Sequence, residues 1–123
     1  MQAFSYRAPT TLEDAVSILA AAGPAARPLA GGTDLIVQLR HGRRRVDMVI
    51  DIKRIREVGA LEFTPEGGLV LGAAVPCADV ATHADVITHY PALADGAGLI
   101  GGAAVRQRAT VGGNLCNASP SGV

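Results

Sequence analysis

Leu29-Ala30-Gly31-Gly32-Thr33-Asp34-Leu35 is the stretch on which the reading of this chain turns. A short run enters two consecutive glycines, and a Thr-Asp pair leads out towards Leu35, Ile36 and Leu39. The pattern predicts a strand over Arg27 to Ala30, a tight turn, and a short helix from Asp34 to Arg40 capped by Thr33. A second stretch shares the design, Arg108-Ala109-Thr110-Val111-Gly112-Gly113-Asn114-Leu115, about 80 residues further on. Successive glycine N–H groups can form a concave anion site, because no Cβ blocks the approach. A Thr hydroxyl and an Asn amide add donors, and a helix start adds more N–H groups and a dipole. The two loops are therefore a candidate phosphate or pyrophosphate cradle. Two ordinary Gly-Gly turns are the other reading of the same residues.

Working outward, Phe4-Ser5-Tyr6 alternates like an edge strand and stops at Pro9. Thr10 and Glu13 have capping-box spacing, and Leu12, Ala15, Val16 and Leu19 form one apolar face. That helix should end at Gly23-Pro24. Asp47-Met48-Val49-Ile50-Asp51 reads as a strand, and Leu61-Phe63 with Leu69-Leu71 as a hairpin around Pro65-Glu66-Gly67-Gly68. Helices are expected from Ala78 to Val86 and from Ala92 to Leu99, whereas Gly101 to Val123 has no clear helical period. The mixture of strands and helices indicates an α+β or α/β chain. A boundary near Lys53–Gly59 separates the helical first half from the hairpin.

With 123 residues, 49% of them hydrophobic, the chain has one domain's worth of length and a modest core. Aromatic residues make up only 3%, so that core must be built from Ala, Val, Leu and Ile. Eleven Lys+Arg balance eleven Asp+Glu, which argues against nucleic acid or an anionic membrane as partner. No apolar run approaches the ~20 residues of a membrane span, and the first residues lack the apolar stretch of a signal peptide. Cys77 and Cys116 form no metal-type cluster and no disulfide framework, so a reduced, cytoplasmic setting is expected. His41-Gly42-Arg43-Arg44-Arg45 reads as a solvated basic turn in preference to a polyanion site.

Gly96-Ala97-Gly98-Leu99-Ile100-Gly101 matches the dinucleotide fingerprint letter for letter. That fingerprint needs a strand before it and an acid about 20 residues later. The preceding residues read as a helix, and no Asp or Glu follows Asp95. The expectation is a helix C-terminus followed by a turn. No Ser-His-Asp, paired-carboxylate or Cys-His constellation appears, so no catalytic side chain and no metal ligand is assigned. Arg106 and Arg108 are either cations favouring an anionic ligand or solvated surface. His83 and His89 are expected in surface or structural roles, and Cys116 as a buried small side chain or a redox-sensitive thiol.

Taken together, these residues resemble the N-terminal part of the FAD-binding medium subunit of molybdenum hydroxylases, the xanthine dehydrogenase and carbon monoxide dehydrogenase family. The resemblance runs from Phe4-x-Tyr6-x-x-Pro9 and Glu13-Asp14-Ala15 through the first glycine loop, Asp51-Ile52 and Leu71-Gly72-Ala73. It ends with Arg106-x-x-Ala109-Thr110-Val111-Gly112-Gly113-Asn114 and Ala118-Ser119-Pro120. It implies an α+β fold of the vanillyl-alcohol-oxidase/MurB-like, PCMH-type FAD-binding class. Residues 1–55 would form the N-terminal lobe and 56–123 the start of a second lobe, apparently truncated. It implies FAD as cofactor, held by Ala30, Gly31, Gly32, Thr33 and Asp34 from the first loop. Thr110, Val111, Gly112, Gly113 and Asn114 would hold it from the second. Asp34 would bond backbone N–H groups at the helix start, or a cofactor hydroxyl, because like charges keep it from phosphate. The implied function is electron transfer from iron–sulfur clusters through FAD to an acceptor. The implied partners are a molybdopterin-containing large subunit and a [2Fe-2S] small subunit. A flavin-free remnant serving as a structural or interaction domain is the alternative. Ala104, Gln107 and Cys77 stand where the family usually carries Gln, Asn and Thr.

Overall fold

The computed structural model describes residues 1–118. Strands β1 (Ser5–Arg7), β2 (Ala26–Leu29) and β3 (Met48–Asp51) form a parallel sheet in the order β1-β3-β2. Parallel neighbours need crossovers. Helix α1 (Leu12–Ala22) links β1 to β2, and α2 (Leu35–Arg40) links β2 to β3. The α1 start is capped by Thr11, whose hydroxyl accepts from the Asp14 N–H, so the cap lies one residue beyond the expected Thr10. The helix stops where Gly23 adopts φ +61° and donates its N–H to the Leu19 carbonyl, as the Gly-Pro pair predicted.

Register decides which side chains are buried. Val49 lies opposite Arg27, and Ile50 opposite Pro28. Period-2 alternation sends Val49 and Leu29 to one face, where Leu39 and Val46 join them with Phe4, Leu35 and Ile36 packed alongside. Ala26 and Ile50 turn to the opposite face, the side on which α1 packs against β2 and β3. Val49 and Ile50 are both buried, as expected of a central parallel strand covered on two sides.

A second core lies in the other half. The hairpin β4 (Leu61–Thr64) and β5 (Gly68–Leu71) turns through Gly68 at φ +75°, with the Thr64 hydroxyl accepting from the Gly67 N–H. Helices α3 (Cys77–Thr82), α4 (Ala84–His89) and α5 (Pro91–Leu99) pack on one another. They enclose Val75, Cys77, Val80, Val86 and Ala97, with Leu61, Leu69 and Leu71 against them. The single helix expected over Ala78 to Val86 is in fact α3 and α4, broken at His83, whose φ −71° and ψ 126° are extended. Val80, Ala84 and Ile87 keep the i, i+4, i+7 spacing of a helix across the break, which hides it from periodicity.

Beyond α5, the segment expected to be irregular carries α6 (Ala103–Arg106) and α7 (Val111–Cys116). Helices of one turn are too short to display a period. The G-x-G-x-x-G match falls as expected, on the end of α5 and a turn in which Gly101 takes φ +51°. His89 stacks on Phe63, ring centroids 4.1 Å apart, in the structural role expected of it. Cys77 is fully buried, and burial pushes its thiol pKa up, so it stays protonated packing. Cys116 is exposed, which corrects the buried alternative. Among the described residues no helix is long and apolar enough to cross a membrane, and no group of His, Cys, Asp or Glu could hold a metal ion.

Candidate functional site

The two glycine loops meet. A Cβ built on Gly31 would lie 1.8 Å from the Arg108 carbonyl oxygen and 3.1 Å from the Ala109 Cα. Only hydrogen at that position lets the first loop rest on the backbone leading into the second. Gly32 has φ +78°, a conformation that side chains make costly. Thr33 is exposed, while Ala30, Gly31, Gly32 and Asp34 are half-buried. Among the described residues, the N–H groups of Gly31, Gly32 and Thr33 donate to no acceptor.

The start of α2 departs from expectation. Asp34, not Thr33, occupies the cap position, and its side chain makes no cap hydrogen bond. The Asp34 carboxylate accepts from the Gln38 side-chain amide one turn along instead. A carboxylate tied down along the helix leaves the free N–H groups of the loop open to an outside acceptor.

The second loop is anchored more firmly. The Cys77 N–H donates to the Ala109 carbonyl at 2.7 Å, and Pro76 bridges to Thr110. Gly112 packs directly on Ala73, where a Cβ would lie 2.7 Å from the Ala73 Cα. Thr110 is buried and caps α7, its hydroxyl accepting from the Gly113 N–H at 2.9 Å. That geometry leaves the Gly112 N–H donating to no acceptor among the described residues, while the Val111 N–H faces the Val75 carbonyl across the Pro76–Thr110 bridge. Gly113 and Asn114 follow on the same short helix, half-buried, with the Asn114 N–H on the Thr110 carbonyl. Replacing Thr110 with Ala should cost about 1 kcal/mol through loss of the cap. Equilibrium denaturation measures it, and an unchanged midpoint would show that the cap does not hold α7.

Lys53, Asp51 and Tyr6 flank the first loop, and the sequence reading assigned none of them a role there. The Lys53 ammonium donates to the Ala30 carbonyl and pairs with Asp51, both at 2.8 Å. Asp51 also accepts from the Tyr6 hydroxyl at 2.6 Å and from the Lys53 N–H at 3.0 Å. No periodicity links residues 30 and 53. The one available signal was an acid ending a strand two residues before a lysine, a spacing that favours a local turn. Burial alone would raise the Asp51 carboxyl, but the hydrogen bonds from Lys53 and Tyr6 outweigh it and hold it below its ordinary value. The same contact raises the Tyr6 phenol. A lowered carboxyl pKa contributes stability above the unfolded value of 3.8 and loses it as pH falls through the folded value. Asp51→Asn should therefore flatten the loss of thermal stability between about pH 5 and about pH 3. Parallel pH profiles for the two proteins would refute that assignment.

Arg106 donates to the Gly101 carbonyl at 2.8 Å and closes the turn after α5, while Arg108 is exposed. Shallow depressions elsewhere, one at Arg7, Asp14 and Ser17 and one at Arg40, Arg44 and Arg45, share no residue with either loop.

Residues 2–122 match the model of the FAD binding domain in molybdopterin dehydrogenase. The chain belongs to this family. It is 37% identical over 117 residues to the xanthine dehydrogenase FAD-binding subunit of Escherichia coli O157:H7, covering 95% of this chain and 40% of that one. It is 34% identical over 118 residues to the carbon monoxide dehydrogenase medium chain of Hydrogenophaga pseudoflava, again covering 95% and 40%. A solved carbon monoxide dehydrogenase from Hydrogenophaga pseudoflava superimposes with a TM-score of 0.87 at 33% identity, covering 93% of this chain and 39% of that one. Reconstituted carbon monoxide dehydrogenase from Oligotropha carboxidovorans gives a TM-score of 0.92 at 26% identity, covering 99% and 42%. The chain thus spans about 40% of the length of the curated relatives it matches. FAD is the cofactor of this FAD-binding family. The segment Ala118-Ser119-Pro120, part of the resemblance, extends outside the described residues after Ala118.

Proposed function

We propose that this FAD-binding chain is the electron-transfer module of a molybdenum-hydroxylase-type dehydrogenase, with a PCMH-type fold. Its first lobe runs over residues 1–55, and its second begins at 56. The flavin pyrophosphate would be held by the free N–H groups of Gly31, Gly32 and Thr33 and by that of Gly112, with Val111 positioning the second loop. One observation carries the reading: Gly31 rests on Arg108, so the unused donors of the two loops share one seam. Bound FAD supplies the redox chemistry, while the protein positions it and sets its surroundings. The contributions of this chain are the donor array, the Thr110 cap that shapes α7, and the Asp34–Gln38 contact that keeps a carboxylate occupied beside the anion. Asn114 and Ala30 complete the two loops. The proposed partners are a molybdopterin-containing large subunit and a [2Fe-2S] small subunit that delivers electrons, in the cytoplasm.

The test is a flavin titration of the purified protein together with any subunits that co-purify. FAD should bind far more tightly than riboflavin, which lacks the phosphates. No uptake of either flavin would overturn the reading in favour of a flavin-free structural domain. Equal affinity for both would remove the pyrophosphate from the cradle.

A further inference from the structure

We propose that Lys53, braced by Asp51 and Tyr6, is the positioning residue that aims the first glycine loop at its anion. The inference rests on the FAD reading above and adds how the loop's donors are oriented. A trans peptide points its C=O and its N–H in opposite directions. Lys53 holds the Ala30 carbonyl at 2.8 Å, so the N–H of the same peptide, that of Gly31, is turned away from Lys53 and towards no acceptor among the described residues. Glycine makes this peptide easy to rotate, since Gly31 and Gly32 tolerate conformations closed to other residues. A loop of two glycines therefore needs an external hold to keep its donors aligned.

The hold is itself constrained. Asp51 ends the central strand β3, and its carboxylate accepts from the Lys53 N–H, the Lys53 ammonium and the Tyr6 hydroxyl. The Asp51 side chain is 13% exposed and the Lys53 side chain 37% exposed. The loop orientation is thus referred back, through one carboxylate, to two strands of the sheet. Lys53 is paired and bonded to a carbonyl, so its effect on an anion runs through the peptide it holds.

Lys53→Met and Lys53→Arg separate this role from a plain charge effect. Lys53→Met should weaken FAD binding roughly tenfold, the scale of one charged hydrogen bond. The loss should be the same at low and high salt, because screening does not touch a displaced peptide. Lys53→Arg, which keeps a donor for the Ala30 carbonyl, should restore most of the affinity. Riboflavin binding should be unaffected, and the backbone amide NMR shifts of Gly31 and Gly32 should move in Lys53→Met and stay close to wild type in Lys53→Arg. Wild-type FAD affinity in Lys53→Met, a loss that disappears at high salt, or an arginine variant as weak as the methionine one would each overturn the proposal. Failure of the underlying reading looks different. The wild-type protein would then take up no FAD, while Lys53→Met still moved the Gly31 and Gly32 amide shifts.

Discussion

Gly31→Ala should leave the protein unable to close its two halves on one another, with or without flavin. The new methyl carbon would fall 1.8 Å from the Arg108 carbonyl oxygen, well inside any contact distance, and its neighbour is backbone that cannot rotate aside. Insertions of this kind typically cost 1–3 kcal/mol where side chains can give way. Against a peptide fixed by the Ala109 N–H on the Val105 carbonyl the cost should reach about 3 kcal/mol or more. The expected readout is a thermal midpoint lowered by about 10 °C or more in flavin-free protein. Gly59→Ala is the control, since its Cβ would meet nothing within 4 Å. A Gly31→Ala protein as stable as wild type, but blind to FAD, would show that the ligand and not Arg108 requires the glycine.

Ile50→Ala should have the second large effect, by emptying the face on which α1 packs. Ile50 is fully buried on the central strand, and the buried residues of α1 and β2, Ala15 and Ala26, are too small to refill the space. Removing a buried isoleucine to alanine costs about 2–5 kcal/mol, the larger values where neighbours cannot collapse. Its neighbour Asp51 anchors Lys53, so a loosened β3 should also weaken the hold on the first glycine loop. Denaturant unfolding with flavin titration tests both parts. A cost below about 1 kcal/mol would show that α1 closes over the site.

The sheet half was legible because its elements are long enough to show their period or carry firm punctuation. The Leu12-Ala15-Val16-Leu19 spacing and the Gly23-Pro24 stop gave α1, although Leu12 and Val16 are exposed and only Ala15 of the four is buried, and the apolar run 48–50 gave β3. The glycine loops were legible as a pair because two unrelated turns rarely share glycines, threonine and an Asn or Asp. What makes those glycines necessary was not legible. Gly31 and Gly112 answer to backbone at Arg108 and Ala73, contacts between distant segments that no local pattern encodes. Helices α3 and α4 read as one because the break at His83 changes backbone angles without changing the apolar spacing. The caps slipped by one residue at Thr11 and Asp34 because adjacent capping residues compete, and tertiary packing picks between them.

Pro28 has a colloidal consequence. In the order β1-β3-β2, β2 is an outer strand among the described residues. The Ile52 N–H donates to the Leu29 carbonyl, so Leu29 and Arg27 face β3, and Pro28 between them faces the open side. Proline has no N–H to offer there. A strand from a second molecule, arriving to extend the sheet, would find a gap in the ladder at the middle of β2. The residue that makes β2 look like a poor strand therefore guards it against edge-to-edge aggregation.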